Sequence, residues 1–294
     1  MNINYIKLVL VQIMWAGTFV ASEIALTNVS PLFLATIRFI LTLLIFYAFL
    51  YKKCDFSRIV KKDYFYLFLM GFFGIFTYTM LLHYGLVLSN SSYAALIIPV
   101  VQPIFTTVIT IIVLKEFLNL NSKISITIGF IGSSLIISSN LLISDIEAFT
   151  GTILIMLSAL TFSIYSVISR FLSNNISSSE ITLISTFFGT LILTILFFVT
   201  EGGTIKNIEI DNNLIWSLGY LVVFATVLPY IWWNQAIKEI GSISTGNFTL
   251  LMPPLALLFS YILLDHSVSL IQLTGGLISF IGLILLLRGK SEKK

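Results

Sequence analysis

Three ionisable side chains stand deep inside long apolar runs of this 294-residue chain: Glu23 in VASEIAL, Arg38 in LATIRFIL and His83 in TMLLHYGL. In hydrocarbon such groups cost about 2.5–3.5 kcal/mol each at a helix centre, so each invites a functional reading. The planar fork of Arg38 suits a substrate carboxylate. Arg38 can equally pair with Glu23, which lies at matching depth in the neighbouring run, as a structural lock or outer gate. The cost of a lone buried cation favours that pairing. His83 can titrate near neutrality and carry a coupled proton, or simply hold a structural hydrogen bond.

Around these groups run polar stripes at helical spacing. Trp15, Thr18 and Ser22 share one face of the first apolar run, as do Ser158, Thr161, Tyr165 and Ser169 of the sixth. Ala95, Pro99, Gln102 and Thr106 form another, with images at Thr245, Thr249, Met252 and Ala256. Thr226, Tyr230 and Asn234 mark the eighth run, and Asn247 adds an amide to the ninth. Small and hydroxyl residues so spaced also glue helices together in lipid. The bulkier amides of Gln102, Asn234 and Asn247 are costlier to hide and point to a cavity wall. Trp15, Tyr78, Tyr84 and Tyr165 could stack an apolar or aromatic substrate. Trp232 and Trp233 suit an interfacial belt.

Catalytic machinery is missing from this inventory. The chain has one cysteine, Cys54, and two histidines, His83 and His266, with no HExxH and no paired intramembrane carboxylates. Neither an enzyme, a metal centre nor a cofactor is expected. Without a GxxxxGK[ST] loop, ATP is not the direct energy source. The partners expected are a small-molecule substrate, membrane lipid and a coupled proton, and no nucleic acid.

The elements that must position these residues follow from composition. Hydrophobic residues make up 57% and charged residues 10%, and mean hydropathy is +1.03. Soluble domains carry about 25% charged residues, so this chain reads as an all-α integral membrane protein. About 20 apolar residues cross about 30 Å of hydrocarbon as a helix. Ten such runs occur, at 6–26, 32–50, 64–88, 92–114, 123–143, 150–169, 181–200, 214–236, 244–264 and 269–287.

The run at 96–114 is echoed at 246–264: Pro103 answers to Pro253, Leu114 to Leu264, Leu120 to Leu270 and Gly132 to Gly282. A fixed offset marks an internal repeat, here residues 1–145 and 146–294. The positive-inside bias sets orientation. With both termini cytoplasmic, Lys7, Lys52, Lys53, Arg58, Lys61, Lys62, Lys115, Lys123, Arg170, Lys238 and Arg288 all fall inside, and only Lys206 outside. Asp145, Glu147, Glu201, Glu209, Asp211 and Asp265 lean outward. Five spans per repeat is odd, so the second copy enters the membrane inverted. Inverted repeats are the architecture of alternating-access carriers with a midplane site. Pro99, Pro103, Pro229, Pro253 and Pro254 lie within spans, where they kink helices and free carbonyls toward a cavity.

The stretches MWAGTFVASEIAL, PLFLATIRF and GLVLSNSSYAALIIPVVQPIFTTVITIIVLKEFL…GFIGSSLII resemble the drug/metabolite transporter superfamily, and most closely its ten-span EamA-type permeases. AIKEIGSISTGNFTLLMPPLALLFSYILLDHSVSL…GGLISFIGLILLL repeats the pattern more loosely. Glu116, the family's usual acid after the fourth span, is answered by His266, with Asp265 beside it, and Arg38 has no basic counterpart near Ser185. The resemblance implies a secondary carrier in the cytoplasmic membrane that exports amino acids or related compounds. Drugs, nucleotide sugars and sugar phosphates are the alternative cargoes, and a passive channel the alternative mechanism.

Overall fold

The computed structural model describes residues 3–89, 91–115, 120–138, 146–203, 210–255 and 270–288; apart from short connecting turns these are helical, with no strand among them. The first four helices are α1 (Ile3–Leu26), α2 (Pro31–Leu50), α3 (Lys61–Leu88) and α4 (Ser91–Ile109, run on by Thr110–Leu114). Next come α5 (Leu120–Ser138), α6 (Ile146–Leu172), α7 (Ser178–Thr200) and α8 (Asn212–Ile240). The last are α9 (Ser242–Gly246, continued by a 3-10 turn at Asn247–Leu251) and α10 (Leu270–Arg288). Seven of them, α1–α4 and α6–α8, are long and apolar enough to cross a membrane. The expected runs 123–143, 244–264 and 269–287 are helical where described. Glu116, Asp145, Lys206, Glu209, Ala256, Asp265 and His266 lie outside the described residues.

Local chemistry sets the helix ends. Ser30 caps α2 by accepting from the Phe33 N–H at 3.0 Å, and Pro31 follows in the first turn, where its missing donor costs nothing. Ser177 and Glu180 form a capping box on α7. Asp211 caps α8 by accepting from the Leu214 N–H at 2.8 Å. Gly241, at φ +86°, ends α8 in the left-handed region that suits glycine.

Three π turns occur among the described residues: α4 ends in one at Thr110–Leu114, and two lie mid-span, in α3 at Phe72–Thr77 and in α8 at Val223–Val227. Phe73 and Val223 are separated by the same interval as Pro103 and Pro253. In α8 the cause is legible: Pro229 has no N–H for the Ala225 carbonyl and its ring crowds that oxygen. Inserting one residue into the turn is the usual relief.

Packing pairs the two ends of the chain. α6 lies against α3 and α4; α1 lies against α8 and α9. α2 packs on α7, α5 on α10, α3 on α7 and α2 on α8. Exchange the halves, α1 for α6 and so on, and this set of neighbours is unchanged. Close approach needs glycine at the crossings. A Cβ on Gly85 would stand 3.0 Å from the Gly151 carbonyl oxygen, and one on Gly71 would stand 2.6 Å from that of Ser185.

The loop after α2 is tied down at α7. Glu180 Oε1 accepts from the Asp55 N–H at 2.8 Å while Oε2 accepts from the Ser177 N–H at 2.7 Å. Cys54 beside it donates to the Leu50 carbonyl at 3.2 Å, and burial together with the Glu180 charge pushes its thiol up to about 11. Only the thiolate alkylates. Maleimide should therefore modify Cys54 at pH 7 roughly a hundredfold more slowly in the folded than in the unfolded chain. The rate should climb with pH past 10, and Glu180→Gln should raise it. A folded-state rate equal to the unfolded one would refute this.

Candidate substrate cavity

Near the middles of the helices lies a small cavity of about 20 Å³, room for a water molecule rather than a whole substrate in this conformation. Both halves of the chain line it. α1 gives Trp15, Thr18 and Phe19; α2, Arg38; α3, Tyr78; α4, Ile98 and Gln102. From the second half come Phe162 of α6, Ala225 and Tyr230 of α8, and Met252. The equivalent residues Gln102 and Met252 thus reach the same cavity from opposite halves.

One wall is aromatic, built around Phe162. Its ring centroid lies 5.6 Å from Trp15 (edge-on), 5.0 Å from Tyr78 and 6.0 Å from Tyr230 (edge-on), and Tyr165, which does not line the cavity, stacks on it from behind at 5.4 Å. Such a wall suits an apolar or aromatic body. Arg38 stands opposite in character. It is only 2% exposed, its guanidinium carbon lies 5.3 Å from the Phe39 ring centroid, and Nε donates to Thr226 Oγ1 at 2.9 Å. Nη1 is buried with no hydrogen-bond partner in the protein. Thr226, not Glu23, is therefore the group Arg38 binds. Depth along a helix fixes a residue's level but not the neighbour it faces, and Arg38 faces α8.

Six of the twelve candidates from sequence line the cavity: Trp15, Thr18, Arg38, Tyr78, Gln102 and Tyr230. Gln102 leaves its amide nitrogen buried and without a partner. Ser22, one turn further along the same face of α1 as Thr18, is fully buried, and its hydroxyl also lacks a partner. His83 is fully buried, with Nδ1 3.2 Å from the Pro31 carbonyl oxygen. A carbonyl can only accept, so Nδ1 carries the hydrogen and Nε2, which has no partner, is the bare nitrogen.

The other candidates lie elsewhere. Tyr165 and Asn234 are buried behind the aromatic wall and bonded to each other at 2.6 Å. Asn247 is buried, with neither amide atom partnered. Tyr84 is 44% exposed. Phe19, Ile98, Phe162 and Ala225 line the cavity although no polar pattern marks them. Among the described residues no group of three or more His, Cys, Asp or Glu could hold a metal.

The sequence pattern of the EamA-like transporter family matches residues 2–138 and 149–288. The chain belongs to that family. An Archaeoglobus fulgidus protein named as an uncharacterized transporter is 25% identical to this EamA-family chain over 97% of its length and 99% of the relative's. The Bacillus subtilis proteins YyaM and YoaV, also named as uncharacterized transporters, are similar too. YyaM is 26% identical over 73% of this chain and 70% of its own, and YoaV 22% over 94% and 93%. A solved crystal structure superposes over 100% of both chains with a TM-score of 0.76 at 14% identity, which establishes a shared fold. This member of the drug/metabolite transporter superfamily is therefore a multi-pass membrane protein and a transporter rather than an enzyme.

Proposed function

We propose that this protein is a secondary carrier that exports an amino acid or a related small carboxylate across the cytoplasmic membrane by alternating access. The observation that carries the reading is Arg38: a buried cation that lines a cavity near mid-helix and whose Nη1 has no partner in the protein. A carboxylate supplies the missing acceptor in the geometry that guanidinium prefers. A single lining cation matches one carboxylate better than a polyphosphate, and the aromatic wall holds the rest of the molecule.

Alternating access is supported by the ten-span, two-repeat reading. The family pattern matches twice, the mid-span π turns recur at equivalent positions, and the helix neighbours are unchanged when the halves are exchanged. An odd number of spans per repeat makes the copies inverted, with both termini cytoplasmic by charge placement. The bare Nε2 of His83 is the atom on which a coupled proton would ride.

Counterflow in proteoliposomes tests the proposal. Vesicles preloaded with unlabelled amino acid should accumulate labelled amino acid transiently, and an imposed pH gradient should drive uptake by the wild type but not by His83→Asn. Labelled substrate that equilibrates without trans-stimulation would identify a pore instead.

A further inference from the structure

The two mid-span π turns lie at the level of the cavity, and in each the N–H four residues on does not serve a carbonyl of the turn. In α3 the Tyr78 N–H reaches back to Phe73 and Ile75, skipping Gly74. In α8 the Leu228 N–H bonds Val223, and Pro229 has no N–H to offer Ala225. An unpaired carbonyl is costly away from water. Both are taken by aromatic side chains of the cavity wall: Tyr230 Oη donates to the Gly74 oxygen at 3.3 Å and Trp15 Nε1 to the Ala225 oxygen at 3.1 Å. A third lining residue, Arg38, holds Thr226 of the α8 turn, whose hydroxyl donates in turn to the Leu221 carbonyl at 2.7 Å. All three cavity bonds cross from one half of the sequence to the other.

A π turn can shed or shift its extra residue by moving one hydrogen bond, which rotates the helix beyond it by about 100°. Tyr78 follows the α3 turn directly, and Tyr230 lies within one helical turn of the other. Both line the cavity, so such a shift would reshape the binding site itself. We propose that Trp15 and Tyr230 are positioning residues of the transport cycle: they hold the π turns of α8 and α3 as latched hinges, released when a bound carboxylate draws Arg38 and the ring donors toward itself. The release step rests on the carboxylate reading above; the latch does not.

Hydrogen–deuterium exchange on the purified full chain separates the two. Trp15→Phe, which keeps a ring but loses the N–H, should raise exchange about tenfold across residues 223–231 and leave 72–80 unchanged. Tyr230→Phe should do the reverse, loosening 72–80 of α3 from a site on α8. A uniform rise across all helices, or none, overturns the latch. If Trp15→Phe does not fold, the Tyr230→Phe arm decides alone. Benzoate serves as the monocarboxylate probe. A wild type that benzoate stabilises through Arg38, with faster exchange at both turns, supports release. The same stabilisation with unchanged exchange overturns the release step. Absence of benzoate, leucine and phenylalanine binding would overturn the carboxylate reading, while the variant pattern still judges the latch.

Discussion

Arg38→Ala is expected to lower counterflow of the carboxylate substrate by about 100-fold at subsaturating concentration, mainly through KM. Hydrogen bonds to a charged group contribute about 1.5–3 kcal/mol each, and every 1.4 kcal/mol is a factor of ten. Arg38 is also the only cation among the described residues that line the cavity, so no described neighbour there substitutes for it. Arg38→Lys should recover part of the loss, because the charge returns without the two-point fork. A thermal-shift series on purified protein checks the binding step separately from turnover. A ligand that binds the folded state raises its apparent stability by mass action. Carboxylates should stabilise the wild type and fail to stabilise Arg38→Ala. Equal stabilisation of both proteins would remove Arg38 from the site.

The sequence revealed Arg38 because a cation in an apolar run is rare enough to be noticed without any structure. The direction it faces was not legible. In a soluble helix the water-facing side is polar and the core-facing side apolar, so periodicity reports rotation. In lipid both sides are apolar, and the contrast vanishes. Arg38 was consequently expected beside Glu23 and is found beside Thr226. Tyr84 and Tyr78 look alike in sequence, yet one is 44% exposed and the other lines the cavity. Phe162, at the centre of the aromatic wall, carries no polar mark at all, and the stripe on α6 drew attention to Tyr165 behind it. The π turn of α8 has a sequence cause in Pro229. That of α3 has only Gly71 and Gly74 to announce it; Gly74 packs so closely on the Tyr165 ring that an added Cβ would strike it. Helix ends were less legible: the apolar runs begin at 32, 181 and 214, one to three residues inside helices whose starts are set by the caps Ser30–Pro31, Ser177–Glu180 and Asp211.

Asn234 shows how burial and bonding divide a residue's two possible roles, and its removal should be the most destabilising change among the candidates. Its Nδ2 donates to Tyr165 Oη at 2.6 Å and to Thr182 Oγ1 at 2.9 Å, and its Oδ1 accepts from Ser169 Oγ at 2.7 Å. Every hydrogen of its amide nitrogen is in use, all three partners are fully buried, and together they join α8 to α6 and α7. In bilayers an interhelical side-chain bond averages about 0.6 kcal/mol, so the three amount to roughly 2. Asn234→Leu adds the cost of stranding buried polar groups, and the loss should reach about 2–4 kcal/mol. That corresponds to a fall in Tm of roughly 5–15 °C. KM of the protein that remains folded should stay within about twofold of wild type, the opposite signature to Arg38→Ala. Pairing Asn234→Ala with Tyr165→Phe supplies the decisive arm. If the bond is structural, the double variant should lose about 1 kcal/mol less than the two single losses combined. Strict additivity together with a raised KM would instead make Asn234 a substrate ligand, with the aromatic wall opening to admit it.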